Sequence, residues 1–203
     1  MANQSLPHAP ATARNREPIL TVLSRVLPPR GLLLEIASGT GEHAAFMAPR
    51  LPEELEWQPS DAEPSALPGI DAHAQASGCA RIRPAIHLDA TAASWPVDSC
   101  DAILCCNMIH IAPFAAAKGL FAGAARVLAA EGPLILYGPF KRNGAHTAPS
   151  NESFDAGLQA RDPRWGVRCL DTEIVPLAAA KGFTLEEIVP MPANNVTAIF
   201  RRI

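Results

Sequence analysis

The stretch Leu32-Leu33-Leu34-Glu35-Ile36-Ala37-Ser38-Gly39-Thr40-Gly41-Glu42-His43 decides the fold. A short apolar run ends in a carboxylate, and a turn of small residues follows. Gly41 then leads into Ala44-Ala45-Phe46-Met47-Ala48, an apolar run with helical spacing. The reading is strand, tight loop, helix. Gly39 and Gly41 allow backbone angles that a side chain forbids and let a ligand approach the main chain. The amides that open the helix favour negative charge.

Two ligand classes compete for such a loop. Gly39-Thr40-Gly41-Glu42-His43-Ala44 satisfies the permissive dinucleotide pattern, in which a pyrophosphate sits on the helix start. S-adenosylmethionine, with its amino-acid end and ribose, passes over the same kind of loop. Glu35 separates the two: a carboxylate at the mouth of the strand repels a pyrophosphate but accepts hydrogen bonds from an ammonium group or ribose hydroxyls.

Outward from this unit, the chain of 203 residues is long enough for one domain, 1–203, with a sizeable core, and 48% hydrophobic content suits a globular α/β protein. A net charge of -3 supplies no general attraction to nucleic acid. The five cysteines, an odd number without a C-x-x-C pair, argue against a disulfide framework or a zinc knuckle. No signal peptide is visible in Met1 to Pro10, and no run approaches the ~20 apolar residues of a membrane span. The expectation is a soluble cytoplasmic protein with no membrane or nucleic-acid partner.

Residues 1–11 are expected to be flexible. Thr12 to Leu27 spaces Ile19, Leu20, Leu23, Val26 and Leu27 along one helical face, and Pro28-Pro29 stops it. Arg14, Asn15 and Arg16 stand at its start, where a guanidinium meets a ligand carboxylate if the helix lies over the loop; a solvated helix start is the competing reading. Leu55 to Asp61 is a second strand. Asp61 lies about twenty residues beyond Gly41, the spacing at which nucleotide-binding α/β units place an acid for ribose hydroxyls.

A helical stretch over 64–77, broken at Pro68-Gly69, precedes a third strand, Pro84 to Asp89. Asp101 to Cys106 is a buried-type strand, and Asn107-Met108-Ile109-His110-Ile111 continues past its carboxyl end, where ligands collect in open parallel sheets. A helix over 113–130 and a strand from Leu134 to Phe140 follow. Residues 141–170 are polar, punctuated by Gly and Pro, and too long for an ordinary connection, which suggests a lid or substrate insertion with a short helix ending at Arg161. A helix over 171–181, bent at Pro176, precedes two terminal strands joined by Pro192-Ala193. With no room for a crossover helix, those strands must be antiparallel.

The run from Glu35 to Gly41 resembles the glycine-rich signature of class I S-adenosylmethionine-dependent methyltransferases, with Ala37 in place of the first glycine and Gly39 and Gly41 as the other two. Further stretches resemble the methyltransferase-like family long catalogued as a domain of unknown function. They include Arg14 to Ile19, Trp57 to Asp61, Asn107 to Pro113, Leu136 to Lys141, Thr147 to Asn151, Arg161 to Gly166 and Met191 to Asn195. The resemblance covers nearly the whole chain after residue 11. It implies a Rossmann-like open sheet of about seven strands, mostly parallel with an antiparallel last strand and helices on both faces.

It also implies S-adenosylmethionine as cofactor, with S-adenosylhomocysteine as product. Arg14, Asn15, Glu35, Ala37, Ser38, Gly39, Thr40, Gly41 and Asp61 then contact the cofactor's polar parts. Asp89 receives the adenine amino group, Asn107 offers an amide, and Met108 packs on adenine. No acceptor is established by the resemblance; a small molecule is the expectation, and the oligomeric state stays open. The expected chemistry is in-line displacement at the sulfonium methyl, helped by positioning and exclusion of water. His110 and Tyr137 are the candidates for a general base. Lys141, Asp155 and Asn195 are candidate acceptor contacts. No compact ligand cluster suggests a metal. A nicotinamide-dependent oxidoreductase and a non-catalytic protein with a cofactor-shaped pocket remain the alternatives.

Overall fold

The structure is a computed structural model, and it describes residues 6–203. Seven strands form one sheet: β1 Arg30–Ile36, β2 Glu54–Asp61, β3 Ile86–His87, β4 Ala102–Cys106, β5 Pro133–Gly138, β6 Phe183–Met191 and β7 Asn195–Arg202. Their spatial order is β3-β2-β1-β4-β5-β7-β6. The pairs from β3 to β5 are parallel. β7 runs antiparallel to both β5 and β6; the three-residue turn Pro192 to Asn194, with Ala193 and Asn194 left-handed, leaves no crossover between β6 and β7. The chain winds outward from β1 to β3 and then from β4 to β5. The carboxyl ends of β1 and β4 therefore flank the switch point where open α/β sheets bind ligands.

Side-chain alternation along the strands builds two cores. Leu33, Trp57, Leu104, Ile135 and Ile199 face the helices α1 Pro10–Val26 and α2 Glu42–Met47, and meet Ile19, Leu23 and Met47. Leu34, Ile103, Leu134 and Phe200 face the other way, toward α4 Phe114–Val127 and α6 Val175–Ala179. Phe121 of α4 meets Phe183 and Phe200 edge-on, with ring centroids 5.7 and 5.5 Å apart. Burial of both faces explains the near-continuous apolar character of β1, β4 and β5.

The structure corrects several expected boundaries. Only part of the 1–11 stretch lies within the described residues, and that part is anchored. Pro10 opens α1, Glu42 accepts hydrogen bonds from Ala9 N–H at 2.7 Å and His8 at 2.8 Å, and His73 meets the Pro7 carbonyl at 2.7 Å. The third strand shrinks to Ile86–His87. Pro68-Gly69 interrupts nothing: it lies in the first turn of α3, Leu67–Ser77, where the missing proline N–H has no helical partner to lose. The 171–181 helix is a wide π-turn, Leu170–Ile174, running into α6, with Pro176 in the first turn of α6.

The 141–170 insertion contains α5, Pro149–Arg161. All five cysteines are free thiols. Among the described residues no helix is long and apolar enough to cross a membrane.

Candidate active site

The loop after β1 is pinned to β2 by a compact set of hydrogen bonds. Ser38 N–H donates to the Ser60 carbonyl at 2.8 Å, Ser60 N–H to Ser38 Oγ at 3.1 Å, and Ser60 Oγ to the Glu35 carbonyl at 2.6 Å. Asp61 Oδ2 accepts the Gly39 N–H at 2.9 Å. The first and second glycine-like positions are both left-handed: Ala37 has φ +59° and Gly39 φ +60°. A non-glycine residue there costs about 1–2 kcal/mol, so Ala37 holds modest strain.

The two remaining glycines do different work. A Cβ built on Gly41 would lie 2.7 Å from the Ile70 Cα, so Gly41 lets α3 approach the loop. A Cβ built on Gly39 meets no atom within 4 Å. Open space thus lies over Gly39, beside the Asp61 carboxylate. Asp61 is itself largely buried, and its Oδ1 accepts the Glu63 N–H at 3.0 Å, so each oxygen has one backbone donor and a further lone pair. Asp89 is exposed, and its Oδ1 accepts both the Thr91 N–H and hydroxyl at 2.8 Å, while Oδ2 has no hydrogen bond among the described residues.

Glu35 departs from the expectation. It stands at the carboxyl end of β1 but is 1% exposed, turned into the core and away from any ligand, and its Oε2 accepts Ser38 Oγ–H at 2.8 Å and the Trp57 indole N–H at 3.0 Å. Burial pushes the carboxyl up to about 7 despite those two donors. Glu35 therefore shapes the loop from beneath. His43 continues the network: its Nδ1 lies 3.9 Å from Glu35 Oε1 and its Nε2 2.9 Å from Asn15 Oδ1. Burial lowers His43 to about 4, so this ring is neutral. Met108 is likewise largely in the core, with the side chains that face α4.

A cavity of about 600 Å³ lies over the carboxyl ends of β4 and β5. α1 contributes Arg14 and Asn15, the turn after β4 contributes Asn107 and Ile111, and β5 contributes Tyr137. α5 and the β6–β7 hairpin close the far side through Asn151, Phe154 and Asn195. Asn107 stands at the junction; its left-handed backbone, φ +62°, turns the chain off β4 while its N–H bonds the Tyr137 carbonyl at 2.8 Å.

The base candidates fare differently. His110 is fully buried and does not line the cavity. Its Nδ1 accepts the Arg168 N–H at 3.2 Å, its ring meets Phe140 edge-on at 4.7 Å, and burial lowers it to about 3. It is a neutral core histidine. Tyr137 does line the cavity, and its hydroxyl meets the Asn15 side chain, but burial raises its pKa and keeps the phenol protonated.

Lys141 and Asp155 also lie off the cavity wall. Lys141 Nζ and His146 Nε2 meet Asp155 Oδ2 at 2.7 and 3.1 Å, and Val167 N–H donates to Oδ1 at 2.7 Å, so the cluster clamps α5 to its flanking loops. Asn195 is on the wall, though its amide N–H groups are used by the Pro192 and Ala193 carbonyls at 3.0 and 3.2 Å.

Sequence reasoning missed Asn151 and Phe154, whose three-residue spacing puts them on one face of α5. It also missed Arg168, whose guanidinium donates to the Ile109, Ala112 and Arg164 carbonyls at 3.0, 2.8 and 2.8 Å. Those bonds hold the turn that carries Asn107 and Ile111.

The fold is similar to that of solved methyltransferase structures. The mitomycin 7-O-methyltransferase MmcR is 15% identical with a TM-score of 0.79 over 95% of this chain and 54% of that one. A putative O-methyltransferase from Nostoc punctiforme PCC 73102 is 20% identical with a TM-score of 0.78 over 92% of this chain and 55% of that one. CalO1, a methyltransferase in calicheamicin biosynthesis solved in its SAH-bound form, is 16% identical with a TM-score of 0.74 over 95% and 54%. The chain thus spans about half the length of these proteins, and the likeness is one of fold. A family described as "Protein of unknown function (DUF938)" matches residues 6–202. Sequence family and architecture agree: the chain belongs to the DUF938 family and has the class I methyltransferase-like fold.

Proposed function

We propose that this protein is an S-adenosylmethionine-dependent methyltransferase acting on a small-molecule acceptor. One observation carries the reading: open space lies over Gly39 at the carboxyl end of β1, with Asp61 bonded to it, and a cavity of about 600 Å³ lies over the carboxyl ends of β4, the next strand in the sheet, and β5. Neighbouring binding places at the carboxyl ends of adjacent strands are what a group transfer between two bound molecules requires.

The bound cofactor would supply a methyl carbon on a sulfonium: an acceptor lone pair forms the new bond, the sulfur keeps the electron pair of the broken one, and S-adenosylhomocysteine is left. The chain's own residues bind and orient. Ala37 to Gly41 would present main chain, Asp61 would accept from the ribose with the lone pairs left by the Gly39 and Glu63 N–H groups, Asp89 Oδ2 would accept from adenine, and Asn107 lines the cavity at the end of β4. With His110 in the core and the Tyr137 phenol protonated, neither acts as a general base; the acceptor reacts through an available lone pair and gives up any proton to solvent. The antiparallel β7 supports this reading over a nicotinamide oxidoreductase, whose doubly wound sheet continues in parallel. The formed acceptor cavity likewise favours an enzyme over a non-catalytic binding protein.

Calorimetric titration with S-adenosylhomocysteine tests the loop assignment. Gly39→Val is expected to abolish binding, because the new side chain enters the open space, while the left-handed backbone at φ +60° costs it about 2 kcal/mol of stability; circular dichroism checks that it stays folded. Gly41→Ala is expected to lose about 2–4 kcal/mol of stability from its left-handed backbone and its contact with α3. Unchanged affinity in the Gly39 variant would refute the assignment.

A further inference from the structure

The acceptor cavity has a chemical character that narrows what it takes. Arg14 is the one charged residue on its wall, which includes no aspartate or glutamate. Arg14 is exposed, and among the described residues no carboxylate lies within ion-pair distance of it. The carboxylate of α5, Asp155, has both oxygens occupied by Lys141, His146, Gln159 and the Val167 N–H. Glu35, beyond His43 and Asn15, is buried and tends toward its neutral form. The cavity therefore presents one uncompensated positive charge.

Its apolar side is equally distinct. Four large apolar side chains are exposed among the described residues, and two of them, Ile111 and Phe154, each 42% exposed, line this cavity; the other two, Leu6 and Ile203, lie near the chain ends. Single exposed apolar residues are ordinary, but two converging on one cavity from different elements are a recognition surface. Asn107 adds an amide with no side-chain hydrogen bond among the described residues, and the Tyr137 phenol adds a hydroxyl.

We infer that the acceptor is an apolar-bodied carboxylate, its anionic end on Arg14 and its body between Ile111 and Phe154. The inference rests on the methyltransferase reading, and it gives Arg14 to the acceptor in place of the cofactor. A guanidinium matches a carboxylate with two parallel hydrogen bonds, and a lone cation suits a single negative charge better than a doubly charged phosphate. The position of Arg14 agrees: it shares its cavity with α5 and the β6–β7 hairpin, while the next residue, Asn15, is the one that bonds His43 behind the glycine loop.

The test compares three probes of one shape: 6-hydroxy-2-naphthoate, 6-hydroxy-2-naphthamide and 6-(aminomethyl)-2-naphthol. Their binding is measured by calorimetry to the full chain and to Arg14→Gln and Arg14→Lys, with and without S-adenosylhomocysteine. The carboxylate is expected to bind the parent protein at least about tenfold tighter than the amide, equivalent to 1.4 kcal/mol, with the amine weakest. Arg14→Gln should erase that preference, Arg14→Lys should restore part of it, and S-adenosylhomocysteine affinity should stay within about twofold in both. A naphthoate no tighter than its amide would overturn the proposal. So would a loss of S-adenosylhomocysteine affinity of about tenfold in Arg14→Gln, which would return Arg14 to the cofactor. Carboxylate selectivity in a protein that binds no S-adenosylhomocysteine would keep the anion site and remove the methyl-transfer reading.

Discussion

Glu35 is where residue-level physics departs most from its sequence context. A carboxyl raised to about 7 by burial holds a proton in the folded protein that the unfolded chain has already released above its ordinary pKa of 4.5. Between those two values the folded state binds more protons, so stability falls as pH rises through the window, by up to about 3 kcal/mol. Glu35→Gln keeps an acceptor oxygen for Ser38 and Trp57 but removes the ionisation. Urea unfolding from pH 4 to 8 should show parity with the parent near pH 4 and an advantage for the variant of about 1–3 kcal/mol at pH 8; parallel profiles would mean that Glu35 stays charged and solvated. The sequence showed an acid at the end of a strand, which is where Glu35 is. Its burial was not legible, because the indole that covers it arrives through the Leu33–Trp57 register between β1 and β2. Position along a strand can be read from one segment, whereas the partner across it comes from another.

Among the elements, α5 shows the same division. Its helical span could be read from the residues between Pro149 and Arg161, and the length of the surrounding insertion marked it as more than a connection. The role of Asp155 could not, since its partners Lys141, His146 and Val167 come from three separate loop positions. Although burial alone would raise this carboxyl, the Lys141 and Val167 hydrogen bonds hold it below the usual carboxylate range. A depressed folded-state pKa stabilises the protein above the unfolded value, and that contribution fades as pH drops through the folded one. Asp155→Asn should therefore cost about 2 kcal/mol at neutral pH and progressively less toward pH 3. Amide hydrogen exchange should accelerate across 149–161 ahead of the sheet, since the loss frees one element. Unaltered exchange in α5 would show that its apolar contacts, Leu158 foremost, suffice to hold it.

For the whole molecule, the sheet separates ligand classes that its first loop does not. The glycine loop and Asp61 serve a dinucleotide or an adenosyl sulfur compound equally, and with Glu35 buried, electrostatic exclusion of pyrophosphate loses its force. The difference lies at the opposite edge, where β7 inserts antiparallel between β5 and β6. The short Pro192-Ala193 link made that reversal readable, but not which strand β7 would flank, because Ile199 and Phe200 suit either side of β5. Parallel thermal shifts with S-adenosylmethionine, S-adenosylhomocysteine and NAD test what the architecture favours. At about 100-fold excess over the dissociation constant a ligand adds about 2.7 kcal/mol, roughly 5–10 °C for a chain of this length. The two adenosyl sulfur compounds should raise Tm and NAD should not. A shift with NAD alone would mean that the β1 loop outweighs the sheet's far edge in choosing the ligand. No shift with any of the three would move a non-catalytic role ahead of methyl transfer, since a ligand that binds only the folded chain must stabilise it.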